Sequence, residues 1–302
     1  MKPSVIAPGI YLVHKEAGET SFSIVRSFIE EVRSAGIRRD KLPVCHGGAL
    51  DPFAEGLLLI LAGQAARLMD LLHPVPKTYE AEIAWGAETD NGDLHGRVTA
   101  RGDVASLTPA RLEEAVRAFI GWRDQVPPAT SNKRVGGERA YRRAHRGEEV
   151  ALPPSRVYLH QALWLGHDLP RSSTLQLVCG GGYYVRALAR DLGRAVDALG
   201  HLTKLRRTAI GPWEDPPRRV HLKGEELYPW CASRQVSEAE LSRLRAGEGI
   251  ERGALSAPAW TLPQGFPDPQ APIRGLSRGL IVAMLREREG RLFPAPVLRG
   301  PL

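Results

Sequence analysis

The stretch CHGGALDPFAEGLLLILAG, Cys45 to Gly63, sets an ionisable pair, His46 and Asp51, around two glycines and an alanine, then follows it with a proline and an aliphatic run. The segment GLLLILAG is short, apolar and bounded by glycines, which predicts a buried strand, although periodicity alone does not exclude a helix. Asp51-Pro52 has the local form of a helix start: an aspartate N-cap, then proline at the first helical position, where its missing N–H costs nothing. On that reading Asp51 caps a short turn, PFAE, Gly56 ends it, and His46 is a polar loop residue.

Working outward, QAARLMDLL has helical spacing through Ala65, Leu68, Leu71 and Leu72. KTYEAEIAWG alternates Tyr79, Ala81, Ile83 and Trp85 against Glu80 and Glu82, the pattern of a half-buried strand. TDNGDLHG is turn chemistry. LTPARLEEAVRAFIGW predicts a helix with Thr108 as N-cap, Pro109 at its first position and Gly121 as its stop. RVYLHQALWL and STLQLVC read as strands, and YYVRALARDLGRAVDALG as a helix opened by a glycine run and closed by Gly200. Strands and helices are interspersed without regular βαβ repeats, so the fold class expected is α+β, with a mixed sheet up to about residue 215. The Pro- and Arg-rich run Asp215 to Arg219 reads as a linker. Beyond it, SEAELSRLRAG predicts a helix capped by Ser237 with Glu240 three residues on. Pro/Gly-rich turns and the strand-like GLIVAMLRE then predict a small, β-rich second domain.

The chain has 302 residues, 43% hydrophobic and 25% charged, an ordinary globular composition with room for one large and one smaller domain. Its formal net charge of +7 suits an acidic partner such as nucleic acid. The charge is concentrated: SNKRVGGERAYRRAHRGEE, Ser131 to Glu149, carries Lys133, Arg134, Arg139, Arg142, Arg143 and Arg146. A second group is Lys204, Arg206 and Arg207. Each reads first as a solvated surface; the first, denser and glycine-flanked, is the candidate nucleic-acid contact. The 3 cysteines, Cys45, Cys179 and Cys231, are far apart and odd in number, which fits a reducing compartment rather than a disulfide framework. No C-x-x-C or H-E-x-x-H pattern offers a metal site, and no signal peptide or membrane span is apparent. The expected location is cytoplasmic.

VCGGGYYVRAL places three glycines between a strand and a helix and invites a phosphate-binding reading. The spacing fails, since no G-x-x-x-x-G-K-[ST] is present and Val185 stands where G-x-G-x-x-G needs a small residue. Bare backbone here instead allows close approach of something large. Arg186 falls near the positive end of the helix, where the macrodipole disfavours a cation, so it calls for an anionic partner elsewhere.

HGGALDP with EGLLLILAG, KTYEAEIAWGAETDNGD, QVPPATSNKRVGGERAYRRAHRG, LQLVCGGGYYVRALARDLG and HLTKLRRTAIG occur in an order and spacing that resemble the bacterial tRNA pseudouridine-55 synthase family, over roughly residues 10 to 212. The resemblance implies the pseudouridine synthase fold with a mixed, mostly antiparallel sheet in a catalytic domain of residues 1–215. Within it, 123–147 would be a mobile RNA-binding insertion, and 216–302 a small C-terminal RNA-binding domain of PUA-like type. It implies an isomerase that converts uridine to pseudouridine at position 55 in the T loop of tRNA, with no metal and no organic cofactor.

The resemblance also assigns roles. Asp51 becomes the nucleophile, attacking either the sugar anomeric carbon or the uracil ring. Arg186 favours its ionised form and offsets its desolvation. Tyr79 is the active-site tyrosine that stacks on the base and serves its proton transfers. Tyr184 and Leu205 line the uridine pocket. The base must be flipped out of the RNA, and His46 occupies the space it vacates. Arg134, Arg139, Arg142 and Arg143 belong to the insertion that closes over the T stem-loop. The chain departs from the family pattern at Gly47 (usually threonine), Gly180 and Gly181 (usually a Ser-Lys pair), Thr130 (usually tyrosine) and His145 (commonly arginine). These changes bear on RNA affinity and target rather than on reaction type. Two other readings stand beside this one: a pseudouridine synthase with a different RNA target, and an RNA-binding or tRNA-folding protein whose catalysis is secondary or lost.

Overall fold

The computed structural model describes residues 6–38, 41–131, 133–148 and 150–302. By contact the chain forms two compact units, one taking the chain up to Val75 and again from Ala209 onward, the other Pro76–Thr208.

In the first unit the strand Gly9–Lys15 runs antiparallel to Glu55–Ala62, with Ile10 opposite Leu61 and Leu12 opposite Leu59. The expected buried strand is therefore present, and Leu57 through Ala62 are all 0% exposed. Side chains alternate between faces with period two, and each face has its own cover. Leu58, Ile60 and Ala62 pack with Val25, Phe28 and Val32 of the helix Ser21–Ser34. Leu57, Leu59 and Leu61 share a core with Trp213, Leu227, Tyr228, Trp230, Ile281 and Met284. The other edge of Gly9–Lys15 is paired by Val220–Leu222.

QAARLMDLL, expected as a regular helix, is a 3-10 helix, Gly63–Leu72, interrupted at Leu68 (φ −106°, ψ 15°). A three-residue step aligns Ala65 with Leu68 on a 3-10 turn, and the break at Leu68 lets Leu72 reach the same core. Further on, Ser233–Gln235, Ile273–Ser277, Leu280–Arg288, Arg291–Val297 and Ile250–Glu251 form a five-stranded sheet in that order. Its first pair is parallel. The helix Glu238–Arg245 carries the expected capping box: Ser237 Oγ accepts from Glu240 N at 3.2 Å, and Glu240 Oε2 accepts from Ser237 N at 2.9 Å. Asp215–Arg219, read in the sequence as a linker, leads directly into the strand that pairs with Gly9–Lys15.

In the second unit Lys77–Trp85, Ser172–Cys179, Ser155–Asp168 and Gly121–Gln125 form successive antiparallel neighbours. Gly200–Ile210 runs beside Lys77–Trp85. Thr108 caps the helix Pro109–Arg117 as expected, its side chain accepting from Arg111 N at 3.2 Å. The helix after the glycine run spans Val185–Ala195 and does not reach Gly200. The chain doubles back over Gly193, whose carbonyl accepts from Ala198 N (3.0 Å) and Leu199 N (2.9 Å). A Cβ on Gly193 would lie 2.3 Å from Gly200 N, so only glycine permits this return.

Candidate active site

His46 and Asp51 lie in the first unit; Tyr79, Tyr184, Arg186, Leu205, Arg134, Arg139, Arg142 and Arg143 lie in the second. His46 ends the strand Val44–His46, opposite Ile60, and Gly48 N–H donates to its Nδ1 at 3.4 Å. Gly47 is held by its N–H to the Leu59 carbonyl (2.8 Å), and a Cβ there would meet Leu72 Cδ1 at 2.5 Å. This chain therefore packs leucine where a larger residue at position 47 would need room. Ser21 pins the approach to Asp51: its Oγ accepts from Leu50 N at 2.9 Å and donates to Leu50 O at 3.2 Å.

Asp51 is half-buried and heads a single turn, closed by Ala54 N–H to Asp51 O at 3.1 Å. No helix follows, because a strand begins at Glu55. The helix-cap reading of Asp51 is thus corrected, and so is Gly56 as the end of a turn, since it lies within that strand. The reason is competition for carbonyls. Lys15, 0% exposed, donates to Ala54 O (2.5 Å), Glu16 O (2.9 Å) and Pro52 O (3.2 Å). Gly18 N–H also takes Pro52 O, at 2.8 Å. Acceptors that a continuing helix would have used are held by a strand and loop 34 or more residues earlier in the chain.

Nearby in the same unit, ligand atoms of His14, Glu16 and Glu55 lie within 4.8 Å of one another, a grouping the sequence pattern did not reveal. His14 Nδ1 is 2.9 Å from the Asp215 carboxylate and Nε2 is 3.6 Å from Glu16.

In the second unit Tyr79 is half-buried on its strand, opposite Leu177. Two residues before it, Lys77 is buried opposite Cys179. Burial, with Arg207 adding to it, brings the Lys77 ammonium down to about 7, while burial pushes the Cys179 thiol up to about 12. Arg207 is only 2% exposed, so it does not belong to a solvated basic face with Arg206, and Lys204 is paired with Glu82 at 3.0 Å.

Arg186 occupies the second position of the helix Val185–Ala195 and is 4% exposed. Its Nη1 donates to the Asn91 carbonyl and to Thr130 Oγ1, each at 2.7 Å, and Nη2 donates to Thr130 O at 3.4 Å. The anionic partner its sequence position called for includes Asp93, whose Oδ2 is 3.9 Å from Nη1. Asp93 is itself buried, accepting from Asn91 Nδ2 (2.8 Å) and His95 N (2.9 Å). Gly92, at φ +77°, lets this loop approach; a Cβ there would stand 3.2 Å from Arg186 Cβ. In the sequence TDNGD reads as turn chemistry and as the end of a family motif, and neither reading singles out Asp93. Gln125 was missed too: its amide clamps the Tyr184 backbone, accepting from N at 2.9 Å and donating to O at 3.0 Å. Leu205 is buried, 6% exposed.

The basic stretch is structured. Arg134–Val135 and Glu138–Arg139 form a hairpin whose turn is Gly136-Gly137, both at positive φ. A helix, Ala140–His145, follows. Arg146 is bidentate to Glu138 (2.7 and 2.9 Å) and also bonds Glu148 (2.6 Å), while Arg143 bonds Glu148 at 2.8 Å. Hydrogen bonds from Arg146 hold the carboxyls of Glu138 and Glu148 below the usual carboxylate range. Arg134, Arg139 and Arg142 are exposed. Asn132 and Glu149, with the side chains of Val135, Ala144 and His145, lie outside the described residues. Among the described residues no helix is long and apolar enough to cross a membrane.

Comparison with known proteins gives three findings. Residues 38–185 match the model of the TruB family pseudouridylate synthase, N-terminal domain. The tRNA pseudouridine synthase B of Thermobifida fusca is 34% identical over 307 residues, covering 98% of this chain and all of that protein. The protein of the same name from Parasynechococcus marenigrum is 41% identical, over 80% of this chain and 84% of its own. Among solved structures, a Cbf5-Nop10-Gar1 complex matches at TM-score 0.66 and 16% identity, covering 96% of this chain and 84% of that chain. An H/ACA ribonucleoprotein bound to a substrate RNA containing 2′-deoxyuridine matches at TM-score 0.65 and 14% identity, covering 97% and 85%. At these identities the structural likeness speaks for the fold.

Proposed function

Because this chain belongs to the TruB family of pseudouridylate synthases, we propose that it isomerises uridine to pseudouridine in tRNA, at position 55 of the T loop, with Asp51 as the nucleophile. The net reaction breaks the bond from ribose C1′ to uracil N1, joins C1′ to C5, and transfers one proton from C5 to N1. Atoms, electrons and charge balance without a redox partner or any group carrier. Catalysis then needs an ionised carboxylate to open the path, whether at the anomeric carbon or at the uracil ring, and groups that move the proton and hold the base.

The observation that carries this reading is the Asp51 turn. No helix N-terminus follows for its carboxylate to cap, because a strand begins at Glu55 instead. Tyr79 serves the base and its proton transfers, Tyr184 and Leu205 bound the uridine, and Arg186 is the cation of the reaction. A stacked uridine is out of reach, so the base is flipped out at a cost of about a few kcal/mol, and His46 takes its place in the RNA. Residues 216–302 act as a PUA-like RNA-binding part.

Arg134, Arg139, Arg142 and Arg143 contact phosphates rather than bases, because a hairpin and short helix carry them along one basic segment. Each phosphate contact contributes roughly 0.7 to 0.9 to the slope of log K against log salt. Changing Arg139, Arg142 and Arg143 together to Ala is expected to weaken tRNA binding and flatten that slope by about 1 to 3. An unchanged slope would leave these residues on a solvated face.

Site-resolved pseudouridine mapping of total RNA from cells lacking the protein tests the function as a whole. The expected result is loss of pseudouridine at position 55 across tRNAs. Loss at another uridine would assign a different RNA target, and no loss anywhere would make the protein an RNA-binding or folding factor.

A further inference from the structure

Arg186 is a buried guanidinium that donates to backbone carbonyls and to one neutral side chain, the Thr130 hydroxyl. Nη1 carries two N–H groups, and the two acceptors at 2.7 Å, the Asn91 carbonyl and Thr130 Oγ1, account for both. The Asp93 carboxylate, at 3.9 Å, contributes charge at a distance beyond a hydrogen bond. Thr130 grips the group twice, because its carbonyl also accepts from Nη2 at 3.4 Å. Of these contacts, the Thr130 hydroxyl is the one made by a neutral side chain, and so the one a substitution can remove while leaving backbone and charge in place.

The segment that carries Thr130 is itself fixed to the start of the Arg186 helix. Gln125 clamps the Tyr184 backbone at 2.9 and 3.0 Å. Arg190 Nη2 donates to Val126 O at 3.1 Å. On the far side of Thr130, the Ser131 carbonyl accepts from Tyr141 N at 3.0 Å. With its segment anchored on both sides, the Thr130 hydroxyl holds one N–H of the Arg186 guanidinium.

We propose that Thr130 is a positioning residue of the reaction: its hydroxyl sets the orientation of the Arg186 guanidinium, and it does not act by binding RNA. This rests on the catalytic reading of Arg186 given above. Removing the hydroxyl leaves a buried N–H of a cation without its acceptor, and the guanidinium turns to find another. Displacement of a catalytic group by about 1 Å can cost on the order of 100-fold in rate.

The test is single-turnover pseudouridine formation at saturating tRNA, with tRNA affinity and thermal unfolding measured on the same preparations. Thr130→Val, close in shape but lacking the hydroxyl, is expected to slow the saturated rate roughly 10- to 100-fold with tRNA affinity unchanged. Thr130→Ser, which keeps the hydroxyl, restores most of the rate, and Thr130→Val adds nothing further in an Arg186→Ala background. Should Thr130→Val fail to fold, Thr130→Ala takes its place. A wild-type rate in the Val variant overturns the proposal, as does equal slowing by Ser and Val. Weakened tRNA binding with an unchanged saturated rate also overturns it, since Thr130 would then be an RNA contact. Arg186→Ala separates two failures. If it is inactive while Thr130→Val is fully active, only the positioning role falls; if it is itself fully active, the catalytic reading of Arg186 falls.

Discussion

A chain ending after Trp213 is expected not to form the first unit at all. The sequence invites such a cut, since Asp215–Arg219 looks like a linker and the motifs that resemble the family lie before it. In the structure the cut removes one wall of a core. Leu222, Leu227, Tyr228, Trp230, Ile281 and Met284 pack in the same cluster as Ile10, Leu57, Leu59 and Leu61. Burying a side chain of this size contributes roughly 1.5–3 kcal/mol. Six such losses are comparable with the whole net stability of a domain, about 5–15 kcal/mol. The cut also strips Val220–Leu222 from Gly9–Lys15, leaving that strand with an unpaired edge. Chemical denaturation followed by circular dichroism should show no cooperative transition for the first unit in the truncated chain. A transition near that of the full chain would mean that residues 214–302 are an appendage.

Asp51→Asn is expected to give a folded, tRNA-binding protein that forms no pseudouridine above background. Asn is nearly isosteric with Asp, and the turn is closed by the Asp51 backbone carbonyl and braced by Lys15, neither of which depends on the carboxylate. The stability cost should therefore be about 1 kcal/mol or less. The amide cannot ionise and is not a nucleophile, so the rate should fall by roughly four orders of magnitude or more, the scale on which enzymes lose a nucleophile. Unfolding of the variant would point to a structural task for the carboxylate.

Local signals in the sequence carried over well. Thr108-Pro109 and the Ser237/Glu240 pair cap their helices, and the period-two pattern of KTYEAEIAWG appears as the strand Lys77–Trp85 with Ala81, Ile83 and Trp85 buried. The misreadings share a cause: a distant group decided between two locally sensible outcomes. Asp51-Pro52 has the form of a cap, but Lys15 takes the carbonyls a helix would need. Gly200 looks like a helix stop, but the chain turns back earlier, where Gly193 admits it. The same holds for the site. Asn91, Asp93 and Thr130 converge on Arg186 from loops 56 to 95 residues away in sequence, a convergence that the motifs containing TDNGD and PPATS do not reveal. A separate appendage and a shared core are equally compatible with the Asp215–Arg219 run, because the pairing of Trp230 and Ile281 with Leu57 is long-range packing that no local pattern encodes.

The most direct measurement is site-by-site mapping of pseudouridine in one unmodified tRNA transcript after a single turnover with the wild-type protein and with Asp51→Asn. Nucleophilic catalysis by Asp51 on the T loop gives one new pseudouridine, at position 55, with the wild type and none with the variant, both proteins binding the transcript. Conversion at position 55 by Asp51→Asn at a near wild-type rate, or wild-type conversion at some other uridine, would contradict it.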